Sequence, residues 1–303
     1  MTQKIKAIKK YSFEFSQQSF GNWSEIENEP VLASVTQYDE QGRIVEEVKY
    51  DADSEIEERH HYLYDNNNKV IEYKMEMPLD QVEETIRTKR NEKGQALTVQ
   101  KFYGEDASEK KEYAYSDDGE VQSFLSYDEE GVPESREVYQ YDEKKRLIKR
   151  EVFEPDALTR QTHFTYNEKD EPLEQSEHDS KNNLLNKVVF AYDDHGNQIK
   201  VLQLNDKGAK TSIVTTTYDD LHRPIERKSS SFYTRITYYG YDDKGNLTEE
   251  TLSDENGMII TRSLHDYDEN NRLAADAYYE TDLTRAGRDT SMGSRYEYEF
   301  MSE

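Results

Sequence analysis

The heptad Tyr38-Asp39-Glu40-Gln41-Gly42-Arg43-Ile44 recurs in recognisable form every 23–26 residues, nearly to the end of the chain. Later copies start at Tyr64, Arg90, Tyr115, Tyr141, Tyr166, Tyr192, Tyr218, Tyr241 and Tyr267. A fixed period of this length is the mark of a repeat architecture, in which each unit buries its faces only against its neighbours. The heptad itself reads as a hairpin tip. Asp39 can accept a backbone N–H two residues on. Gly42 supplies the left-handed residue that closes a three-residue loop with a G1 bulge. Asp39 then faces Arg43 and Tyr38 faces Ile44, two favourable cross-strand pairs. Asp142, Gly196, Asp219, Gly245 and Asp268 hold the same turn positions in other copies.

A weaker turn lies about halfway through each unit, as at Tyr50-Asp51-Ala52-Asp53-Ser54 and Tyr127-Asp128-Glu129-Glu130-Gly131. Each unit is therefore two strands and two turns. Period-2 alternation places aromatics on one face: Tyr113 with Tyr115, Tyr139 with Tyr141, Phe164 with Tyr166, Phe190 with Tyr192. The second residue of each following strand, such as Val45, Ile71, Leu97, Ile148 or Ile199, is expected on the opposite face. The fold expected is all-β, an elongated, twisted or superhelical antiparallel meander of roughly 20 strands and about ten 26-residue units. Its parts are an N-terminal cap over 1–37, containing the only tryptophan, Trp23, the repeat array over 38–279, and a closing strand within 280–303. Pro78 and the stretch 76–84 interrupt the pattern, which predicts a bulge or a longer loop there. Ser229-Ser230-Ser231 replaces another half-turn in a unit about three residues short.

Composition supports this reading. Of 303 residues, 33% are hydrophobic and 34% charged, close to a disordered balance. The 24 tyrosines and the strict period argue for order, and a single-layered sheet needs little deep core. With no cysteine there are no disulfides or thiolate metal sites. Lys4, Lys6, Lys9 and Lys10 are followed by no apolar run, so no secretory signal is recognised and a cytoplasmic location is expected. No stretch reaches the length of a membrane-spanning helix. The net charge of −26 disfavours nucleic acid and anionic membranes as partners and favours a basic protein.

The Tyr-Asp-x-x-Gly-Arg-Ile/Leu pattern, clearest at Tyr38–Ile44 and Tyr241–Leu247, resembles the YD repeat of Rhs and teneurin-type proteins over roughly 240 residues. In the large members of that family such repeats wind a β-sheet into a shell around a toxic polypeptide, or build an adhesion scaffold. This chain is far shorter and has no recognisable self-cleaving or toxin segment, so the resemblance implies a curved hairpin array and not toxin delivery.

Chemistry is hard to place on such a background. The paired acids Asp117-Asp118, Asp193-Asp194 and Asp242-Asp243 sit on four-residue tips, too short for the six to eight oxygens calcium takes, so they read as turn formers. His60 and His61 are adjacent in a strand and point to opposite faces. No phosphate loop or nucleophile elbow is present. The expectation is a non-enzymatic scaffold without cofactor or metal that binds a protein. The one-face aromatics Tyr113, Tyr115, Tyr139, Tyr141, Phe164, Tyr166, Phe190 and Tyr192 are the candidate contact residues. An immunity or antitoxin-like protein masking a basic toxin, and a carbohydrate-binding surface component, are the alternatives.

Overall fold

The computed structural model describes residues 3–14, 29–281 and 290–302. Over those residues the repeat folds as the turn chemistry requires. At the first tip Gly42 has φ +78° and its N–H donates to Asp39 O at 2.9 Å. Asp39 N donates to Arg43 O at 2.9 Å, and Tyr38 pairs with Ile44. Asp39 Oδ1 accepts the backbone N–H groups of Gln41 and Arg43 at 2.8 and 3.0 Å. The expected half-turns repeat this chemistry, as at Asp128, whose Oδ1 accepts from Glu130 and Val132.

Twenty-two antiparallel strands result, from β1 (Ile5–Glu14) and β2 (Val31–Tyr38) to β21 (Leu273–Glu280) and β22 (Thr290–Phe300). Each pairs with the strand before and the strand after it. The antiparallel meander is as expected, but it closes into a barrel and does not run on as a superhelix, because the ends meet: β1 pairs with β22 from Ile5↔Phe300 to Glu14↔Met292, as well as with β2. The sheet is a closed ring. With about 4.8 Å between strands and a tilt of about 40°, a round ring of this size is about 40 Å across. The described part of 1–37 supplies β1 and β2 to that ring, and the closing strand expected in 280–303 is β22. Trp23 lies outside the described residues.

The ring has a single layer. Each strand lies against its two ring neighbours and, among the described residues, against no other strand. The chain exposes 19489 Å² for 35.7 kDa, whereas a compact protein of that mass exposes about 13,000 Å². Among the described residues, no large side chain is fully buried.

Cross-strand pairing sorts the side chains into two faces. One carries the aromatic rows, as in Tyr62↔Tyr73 and Tyr113↔Phe124. The other carries ion pairs, such as Arg87–Glu72 at 2.8 Å, Lys149–Glu151 at 2.8 Å, Lys187–Glu174 at 2.9 Å and Arg262–Glu249 at 2.9 Å. The aromatic face is itself studded with charge, including Lys49–Glu58 at 2.6 Å and Lys101–Glu84 at 2.8 Å. Neither face is the unbroken apolar band with which a barrel meets lipid. His60 and His61 do point to opposite faces, His60 toward Tyr73 and His61 toward Glu46 and Glu76.

Beside each full turn lies a second bulge that strict alternation did not anticipate. Tyr38 pairs with Ile44 but Gln37 pairs with Glu46, leaving Val45 without a partner; Ile71, Leu97, Ile148, Leu173, Ile199 and Ile225 stand in the same position. The extra residue switches the strand's parity, so Ile44 shares a face with Tyr38 while Glu46 shares one with Gln37. Pro78 behaves in the opposite way to expectation. Met77 pairs directly with Val82 across a tight Pro78–Gln81 turn, with no bulge. The short unit does the same at Ser230↔Thr234, leaving Phe232 97% exposed at the tip.

Several tips hold a non-glycine residue in the left-handed region. Ser54 has φ 65°, and Ser54→Gly is expected to stabilise the protein by about 1 kcal/mol. At Gly131, with φ +77° and nothing within 4 Å of an added Cβ, alanine is expected to cost about 1 kcal/mol through the backbone alone. Urea titration of both variants checks the pair of signs.

Candidate functional site: the wedges between hairpin tips

Neighbouring hairpins part company near the full turns. The pairing of β3 (Ile44–Tyr50) with β4 (Ile56–Tyr64) reaches only Glu46↔His61. The β2–β3 and β4–β5 hairpins (β5, Val70–Met77) continue separately to Tyr38↔Ile44 and Tyr64↔Val70. A wedge opens between the tips, and the carbonyl of Ile44 faces it without a strand partner. The Tyr64 hydroxyl donates to that carbonyl at 2.6 Å. The same bridge recurs from Tyr115 to Ala96 O at 2.8 Å, Tyr141 to Val121 O at 2.9 Å and Tyr166 to Leu147 O at 2.8 Å. The repeated tyrosine therefore satisfies a backbone acceptor that the sheet leaves open.

Four wedges are filled by an arginine of the turn before. Arg43 Nε donates to Asp39 Oδ2 at 2.7 Å, Nη1 donates to Asn68 Oδ1 at 2.7 Å, and the guanidinium lies 4.6 Å from the Tyr64 ring centre. Arg146 repeats this with Asp142, Asp170 and Tyr166, and Arg223 and Arg272 stack over Tyr241 and Tyr298 while bound to Asp219 and Asp268. These clamps join a charge-assisted bond to a cation–π contact. The turn acids respond. The backbone and guanidinium N–H groups of Arg43 hold Asp39 below its ordinary 3.8, and Arg146, Arg223 and Arg272 do the same to Asp142, Asp219 and Asp268. Because the folded-state values are lowered, their stabilisation is complete above the unfolded value. It is lost as pH falls from about 4 through the folded values. Thermal melts are expected to show a flat melting temperature at neutral pH and a fall below about pH 4.

Other wedges lack the arginine. Asn197 stands in its place between Asp193 and the Tyr218 wall, and a cavity of about 690 Å³ opens there. It is bounded by Asp193, Asn197, Tyr218, Asp219, Asp220 and His222, among others. Gln95 stands in the equivalent place beside Tyr115, where the cavity measures about 530 Å³. His195 and His222 approach ring to ring at 4.6 Å across the first of these.

All eight sequence-predicted contact residues lie on the aromatic face, in the halves of their strands near the full turns. Tyr115, Tyr141 and Tyr166 serve as the carbonyl bridges just described. Tyr113 and Tyr139 flank Phe124, at ring distances of 5.7 and 6.5 Å. Tyr139 donates to Glu137 at 2.7 Å, and burial together with that carboxylate pushes its phenol up. Phe164, Phe190 and Tyr192 pair with Gln175, Val201 and Gln198. Asp39, Gly42, Asp142, Gly196, Asp219, Gly245 and Asp268 all occupy tip positions. The Asp39–Arg43 pair is legible in the sequence, but the stacking of Arg43 on Tyr64 of the next repeat is not among its expectations. The clamp's signal is an arginine four residues after the turn Asp and 18–26 residues before the tyrosine it stacks on. Among the described residues, no group of three or more His, Asp or Glu is placed to hold a metal ion.

A family model described as an uncharacterised protein matches residues 89–223. No curated protein matches the chain. Among solved structures, it is similar to the TcdB2-TccC3 chain without its hypervariable C-terminal region, at 12% identity and TM-score 0.32, covering 86% of this chain and 18% of that one. The Photorhabdus luminescens Tc holotoxin pore is similar at 12% identity and TM-score 0.32, covering 85% of this chain and 21% of that one. A porin-like protein from Bacteroides uniformis is similar at 10% identity and TM-score 0.33, covering 99% of each. The chain thus spans about a fifth of the length of the Tc-toxin chains it resembles.

Proposed function

We propose that this chain is a non-enzymatic repeat scaffold whose acidic turns hold a basic protein partner. The observation that carries the reading is where the charge sits. Over the strand spans Lys and Arg nearly balance Asp and Glu, so most of the net −26 falls in the turns at the two rims of the ring. Balanced faces hold the sheet together through ion pairs, while two rings of like charge project a field that steers a basic surface toward a rim. Masking of a basic toxin is one form of this activity. The narrower assignment to YD-repeat proteins belongs to the same proposal and rests on the Tyr38–Ile44 heptad.

The test is a pull-down with the tagged protein from lysate of its own source, washed at low and at high salt. The captured protein is then purified and recombined. A basic partner that binds stoichiometrically and is released by salt is the expected result. Recovery of no partner at either salt would sink the proposal. Salt-insensitive binding to a glycan would move the assignment to the carbohydrate reading, for which the exposed ring of Tyr238 on the sheet is a stacking surface.

A further inference from the structure

Four times this chain clamps its own arginine between a turn Asp and an aromatic ring, and beside Tyr218 and Tyr267 it sets out the clamp's parts with an asparagine where the arginine would be. Around Arg43 and Arg146 the parts are a turn Asp, the side chain at the left-handed position of the next turn, and the face of the next anchor tyrosine, whereas Arg223, facing Gly245 there, and Arg272 keep only the Asp and the ring. Asp39, Asn68 and Tyr64 around Arg43 are one such set. In the wedge between β14–β15 (Leu184–Tyr192, Gln198–Asn205) and β16–β17 (Lys210–Tyr218, Pro224–Ser230) the corresponding parts are Asp193, His222 and Tyr218. Asn197 replaces the arginine. Its amide reaches both polar ends, donating to Asp193 Oδ2 at 2.8 Å and to His222 Nδ1 at 3.0 Å. It is too short to cover the Tyr218 ring, and among the described residues no cation lies over that ring. The cavity of about 690 Å³ is lined by three carboxylates and by no lysine or arginine.

We infer that this wedge is a preformed site for a guanidinium group, taking an arginine side chain of the basic partner. This deepens the scaffold reading and rests on it for the source of the arginine. The incoming guanidinium donates to Asp193 Oδ2 and to His222 Nδ1 in place of the Asn197 amide, and stacks on Tyr218 at the spacing of the four internal clamps, 4.5–4.8 Å. Planarity and the fork of donors favour arginine over lysine. Two other wedges without arginine differ in ways that matter. Beside Tyr115 the turn residue is neutral Asn91, and Lys93 lines the cavity. Beside Tyr267, Asn246 and Asn271 exchange reciprocal hydrogen bonds at 2.6 and 3.0 Å and tie the tips together.

The experiment titrates acetyl-Gly-Arg-Gly-amide into the whole protein and follows the ring signals of its histidines by NMR, His195 and His222 being inside the wedge. The matched lysine peptide is run beside it. Saturable shifts of those two signals are expected, with the lysine peptide at least about fivefold weaker. Asn197→Arg fills the wedge as Arg43 does and should weaken binding at least about tenfold. Asp193→Asn should weaken it several-fold. Both variants keep the turn, because arginine holds the first position in four other turns. Asparagine holds the second at Asn91 and Asn167 with the same backbone bonds. Unmoved histidine signals, equal response of Asn197→Arg and the parent, or equal affinity for the two peptides would each overturn the site. A partner captured equally by Asn197→Arg and the parent would remove the site and leave the scaffold. Peptide binding without any partner would do the reverse.

Discussion

Ending the chain at residue 289, which removes β22, is expected to abolish the cooperative melt, whereas excising residues 142–166 is expected to preserve it. The larger deletion is the milder one because of parity. An up-and-down antiparallel ring closes only with an even number of strands. Without β22 the terminal strands β1 and β21 run parallel, and two long edges stay open with unpaired backbone groups. Excision of 142–166 removes one whole unit, β11 (Leu147–Glu154) with β12 (Ala157–Tyr166). It joins Tyr141 to the Asn167 turn, so β10 (Pro133–Tyr141) meets β13 (Pro172–Asp179) as one anchor-to-turn junction replaces another. The β1–β22 seam is kept, and twenty strands close as twenty-two do. Circular dichroism melts and size-exclusion chromatography check both. A monomeric, sharply melting chain ending at 289 would show that closure is not what holds the ring.

The second large effect is expected at Arg150→Ala, which should destabilise the protein by about 2 kcal/mol. Glu137 is the least exposed acid among the described ion pairs, with 12% of its side chain accessible. Burial alone would raise its pKa, but the two bonds from Arg150 and one from Tyr139 outweigh that and hold it below the ordinary range. Removing the arginine strands a half-desolvated carboxylate. The figure is kept below that of a fully buried pair because Arg150 itself is 41% exposed. Adding Glu137→Gln to the Arg150→Ala background should recover more than half of the loss. Arg87→Ala, at a pair exposed by 58% and 36%, should cost less than about 0.5 kcal/mol. Urea unfolding of the three variants beside the parent measures all of this. Equal losses at Arg150 and Arg87 would show that burial of Glu137 does not govern the pair.

The sequence by itself determined the tips, the period and the faces, because those are local matters. An Asp that caps its own turn, a Gly or Asn in the left-handed region and an aromatic two residues before most anchors act within a handful of residues. The aromatic rows and the opposed faces of His60 and His61 follow from alternation alone. Three things were decided only by the tertiary structure. The ring closes because the tilt and curvature of many strands add up until Ile5–Glu14 meets Met292–Phe300, and no window of sequence carries that sum. The bulge at Val45 and its counterparts arises where neighbouring hairpins must splay, so it belongs to pairs of units and not to one. The clamp of Arg43 on Tyr64 joins residues that lie in consecutive repeats, and the empty place beside Asn197 becomes visible only once those repeats stand side by side.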